Sequence, residues 1–173
     1  MLIAMAGLPG SGKSTLAAHI GRRLQVAVVS VDPLESAILT AGIDSDQPTG
    51  LAAYLVAETI AESVLSSGQT IIVDAVNAVE PAREQWVQLA ERMSTPIRFV
   101  EASCSDADLH RTRLEARQRS RPELAEPSWN AVEQSLEEYA EWTGAFATVA
   151  RITVDTAGPL EANVDAAVAF LGS

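Results

Sequence analysis

Lysine is nearly missing from this chain of 173 residues: of its 12 lysines and arginines, Lys13 is the single lysine and the other eleven are arginine. Cysteine is as scarce, with Cys104 alone, so no internal disulfide can form and a cytoplasmic setting is the default expectation. No apolar run approaches the roughly 18 residues that a membrane-spanning helix needs. The apolar start, Leu2 to Ala6, has no basic leader and meets a glycine after five residues, so it does not read as a signal peptide. Positive charge is short overall: 23 acidic residues against 12 basic ones give a formal net charge of -11. Such a surface repels a long phosphate backbone and disfavours a nucleic-acid partner.

What basic charge there is clusters. Arg111, Arg113, Arg117, Arg119 and Arg121 fall within eleven positions, which suits either a small anionic ligand or a helix face paired with Glu115 and Glu123. The hydrophobic share of 47% and charged share of 20% fit a globular chain, and the length predicts one compact domain over 1–173.

Apolar segments alternate between two periods. Leu2 to Ala6, Val26 to Val31, Thr70 to Asp74, Ile97 to Ala102 and Ile152 to Val154 read as buried strands. Helices are expected over 13–24, 51–66 with Leu55, Ile60 and Val64 on one face, and from Pro81 to about Met93. Another runs from Asp106 to about Arg117 behind a capping Ser105, a longer one carries Trp129 to Phe146, and Leu160 to Leu171 closes the chain. His110 reads as solvated among arginines, and His19 and Cys104 as packing residues. Strands that are continuously apolar and alternate with helices predict a three-layer α/β/α fold around a five-stranded parallel sheet.

Between the first strand and the first helix stands GLPGSGKST, residues 7 to 15. Gly7, Gly12, Lys13 and Ser14 fit the G-x-x-x-x-G-K-S/T spacing of a phosphate-binding loop. Glycines, Gly10 among them, let main-chain N–H groups converge on a phosphate at the positive end of a helix. Ser11 and Thr15 complete the expected nucleotide cradle, Lys13 would reach the β- and γ-phosphates, and Ser14 would hold Mg²⁺. A lysine in a chain otherwise basic only through arginine marks a place where a compact ammonium is needed. No second lysine exists for the N-K-x-D motif of a guanine-nucleotide switch.

In such a sheet, ligands lie at the carboxyl ends of the strands. Asp32 closes VVSVD and is either the general base for an acceptor hydroxyl or the cap of a helix starting near Pro33. Asp74 closes TIIVD and either serves Mg²⁺ and substrate or stabilises a turn. Asn77 and Arg83 are candidate substrate contacts, with a helix cap and a salt bridge as the other readings. Arg117, Arg119 and Arg121 stand where the helical pattern weakens, as expected of a mobile lid over about 117–127 that closes on ATP. Arg117 and Arg121 are its candidate phosphate ligands.

With these residues in place, the chain resembles the small P-loop kinases grouped with zeta toxins, chloramphenicol phosphotransferase and the kinase half of phage-type polynucleotide kinase. The likeness rests on GLPGSGKST, Asp32, VDAVNAVEPAREQW at 73 to 86, RLEAR at 113 to 117 and Pro127-Ser128-Trp129. It implies Mg-ATP as donor, Asp32 as base, Arg117 as lid arginine and adenine near Asp155 to Gly158. It leaves the acceptor open, and Leu34-Glu35-Ser36 replaces a segment where an arginine is usual. The expected activity is transfer of the γ-phosphoryl of ATP to a hydroxyl of a small molecule; the alternative is an ATP-binding switch with slow hydrolysis.

Overall fold

Leu2–Ala6 forms strand β1, with all five residues buried, at the centre of the sheet in the computed structural model, which describes residues 1–120, 124, 127–137, 139, 142, 146 and 148–172. β2 is Ala27–Ser30, β3 Ile71–Asp74, β4 Ile97–Ser103 and β5 Arg151–Asp155. The five strands are parallel in the order β2-β3-β1-β4-β5. Helices α1 (Lys13–Leu24), α2 (Val31–Thr40), α3 (Thr49–Ser66), α4 (Glu80–Arg92), α5 (Ala107–Ser120), α6 (Trp129–Glu137) and α7 (Leu160–Leu171) complete the described elements.

Side chains alternate across each strand, so β1 feeds both layers. Ile3 and Met5 pack with Leu16 and Ile20 of α1 and Val164 and Leu171 of α7. Leu2, Ala4 and Ala6 pack on the other face with α3 and with Trp86 and Leu89 of α4. The chain therefore leaves β1 toward one layer and β3 toward the other. The crevice where those paths diverge is where an α/β sheet of this kind receives ligands.

Several expectations need correction. Val26 to Val31 is not a buried strand: β2 lies at the sheet edge, and Ala27 and Val28 are exposed. The buried stripe of α3 is Ala53, Ala57, Ala61 and Leu65, while Leu55 and Ile60 face outward. Small alanines at four-residue spacing let the helix backbone lie close to the sheet. α5 is capped by Asp106, whose Oδ1 accepts the Leu109 N–H at 2.9 Å, whereas Ser105 donates its N–H and hydroxyl to Asp155. The same helix continues past Arg117 to Ser120, so the first part of the expected lid is helical. Among the described residues, no helix is long and apolar enough to cross a membrane.

Candidate functional site

The loop between β1 and α1 is held by its own main chain and by three other segments. Gly7 N–H donates to the Val76 carbonyl at 2.9 Å and Ser11 N–H to that of Leu8 at 3.1 Å. Thr156 Oγ1 donates to the Ser11 carbonyl at 2.6 Å. His110 Nε2 donates to the Pro9 carbonyl at 2.8 Å. Two glycines are dictated by geometry. Gly7 has φ 139°, and a Cβ there would stand 2.4 Å from the Ala102 carbonyl oxygen. Gly12, with φ 87°, occupies the left-handed conformation directly before α1 and leaves that helix's N-terminus open.

This end of α1 opens on a cleft of about 390 Å³, within the range of small-molecule and cofactor sites. Gly10, Gly12, Lys13, Ser14 and Thr15 line one side. Arg113 and Arg117 of α5 form a second wall, and Thr156, Gly158 and Asn163 a third. Gly7 and Ser11 do not line it, contrary to expectation. Ser11 is only 2% exposed, with its N–H bonded within the loop and its carbonyl to Thr156, so these two residues shape the cradle from behind. Lys13 is also 2% exposed, and its ammonium has no hydrogen bond or ion pair among the described residues.

Arg113 fixes the third wall: its guanidinium donates to Thr156 Oγ1 at 2.9 Å and to the Thr156 carbonyl at 3.1 Å. Asn163 Nδ2 donates to the Asp155 carbonyl at 2.8 Å. The Asp155 carboxylate accepts from the hydroxyl and N–H of Ser105 and from the Ala157 N–H, and these bonds, Ser105 first, hold its pKa below the ordinary range. The resemblance implied adenine near Asp155 to Gly158, a segment that includes Thr156 and Gly158 of this wall, but Asn163 was not foreseen. The signal available for Thr156 was its place just beyond a parallel strand.

Asp74 stands at the end of β3, 2% exposed. Its Oδ2 accepts the Ser30 hydroxyl at 2.9 Å, while its Oδ1 is buried with no hydrogen-bond partner. A buried carboxylate oxygen without a donor calls for a cation or water. Together with the exposed hydroxyl of Ser14, it offers the hard oxygen ligands that suit Mg²⁺. Asp32 is not a strand-end residue: it lies in the first turn of α2. Its Oδ2 accepts from Arg117 at 2.6 Å, both side chains being 19% exposed. The candidate base and the candidate phosphate ligand thus meet across 85 residues of sequence. Glu35, at the segment where the resemblance would put an arginine, accepts the Thr49 hydroxyl at 2.9 Å and ties α2 to α3. Arg121 lies outside the described residues.

Asn77 and Arg83 are not substrate contacts in this structure, for each is 0% exposed. Asn77 Nδ2 donates to the Met5 carbonyl at 2.7 Å, and Asn77 Oδ1 accepts the Trp86 indole N–H at 2.9 Å. Arg83 donates to the carbonyls of Asn77 and Ala78 and lies 4.1 Å from the centre of the Trp142 ring. Asn77→Ala strands a buried carbonyl and a buried indole N–H. It is expected to lower unfolding stability by about 2–4 kcal/mol, read by urea denaturation, with nucleotide affinity of the folded protein unchanged. A raised acceptor KM at full stability would restore Asn77 to the substrate site. His110, expected in solvent, is 1% exposed and packs edge-on to Trp129 at 5.3 Å.

A family model described as an AAA domain matches residues 2–141. Among solved structures, a Chloroflexus aurantiacus J-10-fl protein described as a candidate kinase is 21% identical, with a TM-score of 0.81 and 99% and 96% of the two chains covered. Chaetomium thermophilum Kti12, solved with ADP-AlF3, is 20% identical, with a TM-score of 0.73 and coverage of 99% and 97%. A gluconokinase from Sinorhizobium meliloti 1021 is 19% identical, with a TM-score of 0.65 and coverage of 98% and 90%. At these identities the likeness establishes the fold. No curated protein matches the sequence.

Proposed function

The chain belongs to the AAA-domain family matched over residues 2–141, and from that membership we propose that this kinase-like P-loop domain is an ATP-dependent kinase acting on a hydroxyl of a small acceptor. The observation that carries the reading is the partly buried Asp32 carboxylate, paired with an arginine that lines the phosphate cleft. A carboxylate fixed beside an arginine that lines the phosphate cleft is suited to orient and deprotonate an attacking hydroxyl.

In this mechanism Gly10, Gly12, Lys13 and Thr15 hold the triphosphate, with the Lys13 ammonium on the β- and γ-phosphates. Arg113, Thr156 and Gly158 border the base. Ser14 and Asp74 would hold Mg²⁺, which supplies charge neutralisation to the phosphates when bound. Asp32 accepts the proton of the acceptor hydroxyl as that oxygen attacks the γ-phosphorus, the bond from that phosphorus to the β,γ-bridging oxygen breaks so that ADP leaves with the electron pair, and Arg117 neutralises the equatorial oxygens. A lid over about 117–127 that excludes water is part of this proposal; residues 121–123, 125 and 126 of it lie outside the described residues. The narrower grouping with zeta toxins and chloramphenicol phosphotransferase is part of this proposal, as is a cytoplasmic setting.

The likeness to Kti12, solved with ADP-AlF3, favours one second reading, a nucleotide-dependent switch with slow hydrolysis. Release of ADP across a panel of sugars, nucleosides and small alcohols separates the two. The kinase reading expects one compound to raise the rate by about 10²-fold or more over water and to appear as its phosphate ester by mass spectrometry. Acceptor-independent release of inorganic phosphate across the panel overturns it.

A further inference from the structure

Against the rear of the phosphate loop lies a second cavity, of about 240 Å³, that shares no lining residue with the nucleotide cleft. Leu8 and Ser11 of the loop bound it on one side, Glu101 and Cys104 at the end of β4 on another, and His110 and Tyr139 close it. Four buried side-chain polar atoms lack a hydrogen-bond partner among the described residues. One is the Asp74 oxygen already described as a candidate Mg²⁺ ligand. Two others, Ser11 Oγ and His110 Nδ1, belong to residues that line this cavity, and the fourth, Tyr139 Oη, faces the Glu101 carboxylate across it. Buried polar atoms are almost always paired, so two orphans around one void mark a place built for an occupant.

The chemistry of the lining specifies that occupant. His110 Nε2 faces the Pro9 carbonyl and donates to it, which leaves Nδ1 as the ring nitrogen without a partner. Glu101 accepts from Thr153 Oγ1 at 2.6 Å and from Trp142 Nε1 at 3.0 Å. Burial disfavours its charge, but the bonds from Thr153, Trp142 and Tyr139, with the charge of Arg151, hold its pKa below the ordinary carboxylate range. A carboxylate has about four lone-pair sites, so room for one further donor remains. Burial, then the Glu101 carboxylate, raise the Tyr139 pKa, so its hydroxyl stays protonated. Arg83 and Arg151 lie against the Trp142 ring at 4.1 and 4.7 Å, and neither lines the void. The described lining is therefore rich in acceptors, carries one negative charge and no positive one, and has apolar walls in Leu8, Ala102 and Leu136.

We propose that this cavity is a second binding site, for a compact cation rich in N–H donors, of the amine or guanidine class, seated against the back of the phosphate loop. An anion is opposed by Glu101. The volume admits a molecule about as large as eight waters at their liquid volume, too small for a nucleotide.

Cys104, the only cysteine and a partly exposed lining residue, reports on occupancy. The intact protein is alkylated with iodoacetamide, and the rate is followed by mass spectrometry with methylguanidinium, ethanolammonium, tetramethylammonium or acetate added. Methylguanidinium and ethanolammonium are expected to slow alkylation saturably, about threefold at a concentration of about twice their Kd. Acetate, and tetramethylammonium, which has no N–H, should not. Protection should disappear in Glu101→Gln and in Leu136→Trp, the second altering an exposed residue whose replacement does not threaten the fold. Absence of saturable protection means that water alone meets the two orphan atoms and overturns the proposal. So does equal protection by acetate or tetramethylammonium, or protection that survives Leu136→Trp.

Discussion

Lys13→Met is expected to lower phosphoryl transfer by about 10²–10³-fold while leaving thermal stability unchanged or raised. The two effects come from one fact. Lys13 as a residue is almost wholly buried, at the mouth of a cleft it lines, and no described residue is recorded as pairing with its ammonium. A desolvated charge without a partner destabilises the fold unless a ligand supplies the counter-charge. Methionine keeps the length and apolar stem, removes the charge, and so relieves the free protein while depriving a bound triphosphate of its main point of attraction. Thermal unfolding with and without Mg-ADP gives the test. The wild type should gain about 2.7 kcal/mol at a nucleotide concentration of about 100 times Kd, and Lys13→Met should lose most of that gain from a starting point at least as stable. An undiminished gain in the variant would place the phosphates elsewhere and remove the basis of the kinase reading.

What could be read from the sequence divides along physical lines. Strands covered on both faces are continuously apolar, so β1, β3 and β4 were visible as runs. The phosphate loop was visible because its glycines and lysine answer to backbone geometry and ligand charge, which local sequence records directly. β2 looked the same as its neighbours because an edge strand can keep apolar residues while lying open to solvent. The buried face of α3 was hidden because alanines carry little hydrophobic contrast beside Leu55 and Ile60, even though the alanines are the residues that touch the sheet.

The polar residues misplaced by sequence reasoning share a cause. Asn77, Arg83 and His110 are buried because each satisfies a main-chain carbonyl from a distant segment, or in the case of Arg83 one six residues away, and no local pattern announces such a bond. Asn77 also sits at φ 48°, a conformation asparagine tolerates better than most residues, and this frees its side chain to bridge β1 and α4. The cleft wall formed by Thr156 and Asn163 depends on β5 returning beside β4, which is a fact of sheet order.

Asp32→Asn is expected to reduce turnover on the true acceptor by about 10²–10⁴-fold with ATP affinity kept within about threefold. Asparagine preserves the size of the side chain and an oxygen that can still accept from Arg117, but it cannot take a proton from a hydroxyl. The existing contact makes the result more informative than a simple loss. Arg117 lines the phosphate cleft while donating to Asp32, so the same guanidinium cannot grip a γ-phosphate at full strength without loosening its hold on the base. Weakening the pair therefore releases Arg117 toward phosphate, and ATP binding in Asp32→Asn should hold steady or tighten even as catalysis fails. Arg117→Ala separates the roles from the other side: it should weaken ATP binding and slow turnover together. Measurement of Kd by calorimetry and kcat by coupled assay on both variants decides the matter. If Asp32→Asn turns over near the wild-type rate, the carboxylate is a helix-end residue paired with an arginine and the proton leaves by another route. If instead it loses ATP affinity in step with turnover, the ion pair is what shapes the nucleotide cleft, and Asp32 acts by holding Arg117 in place.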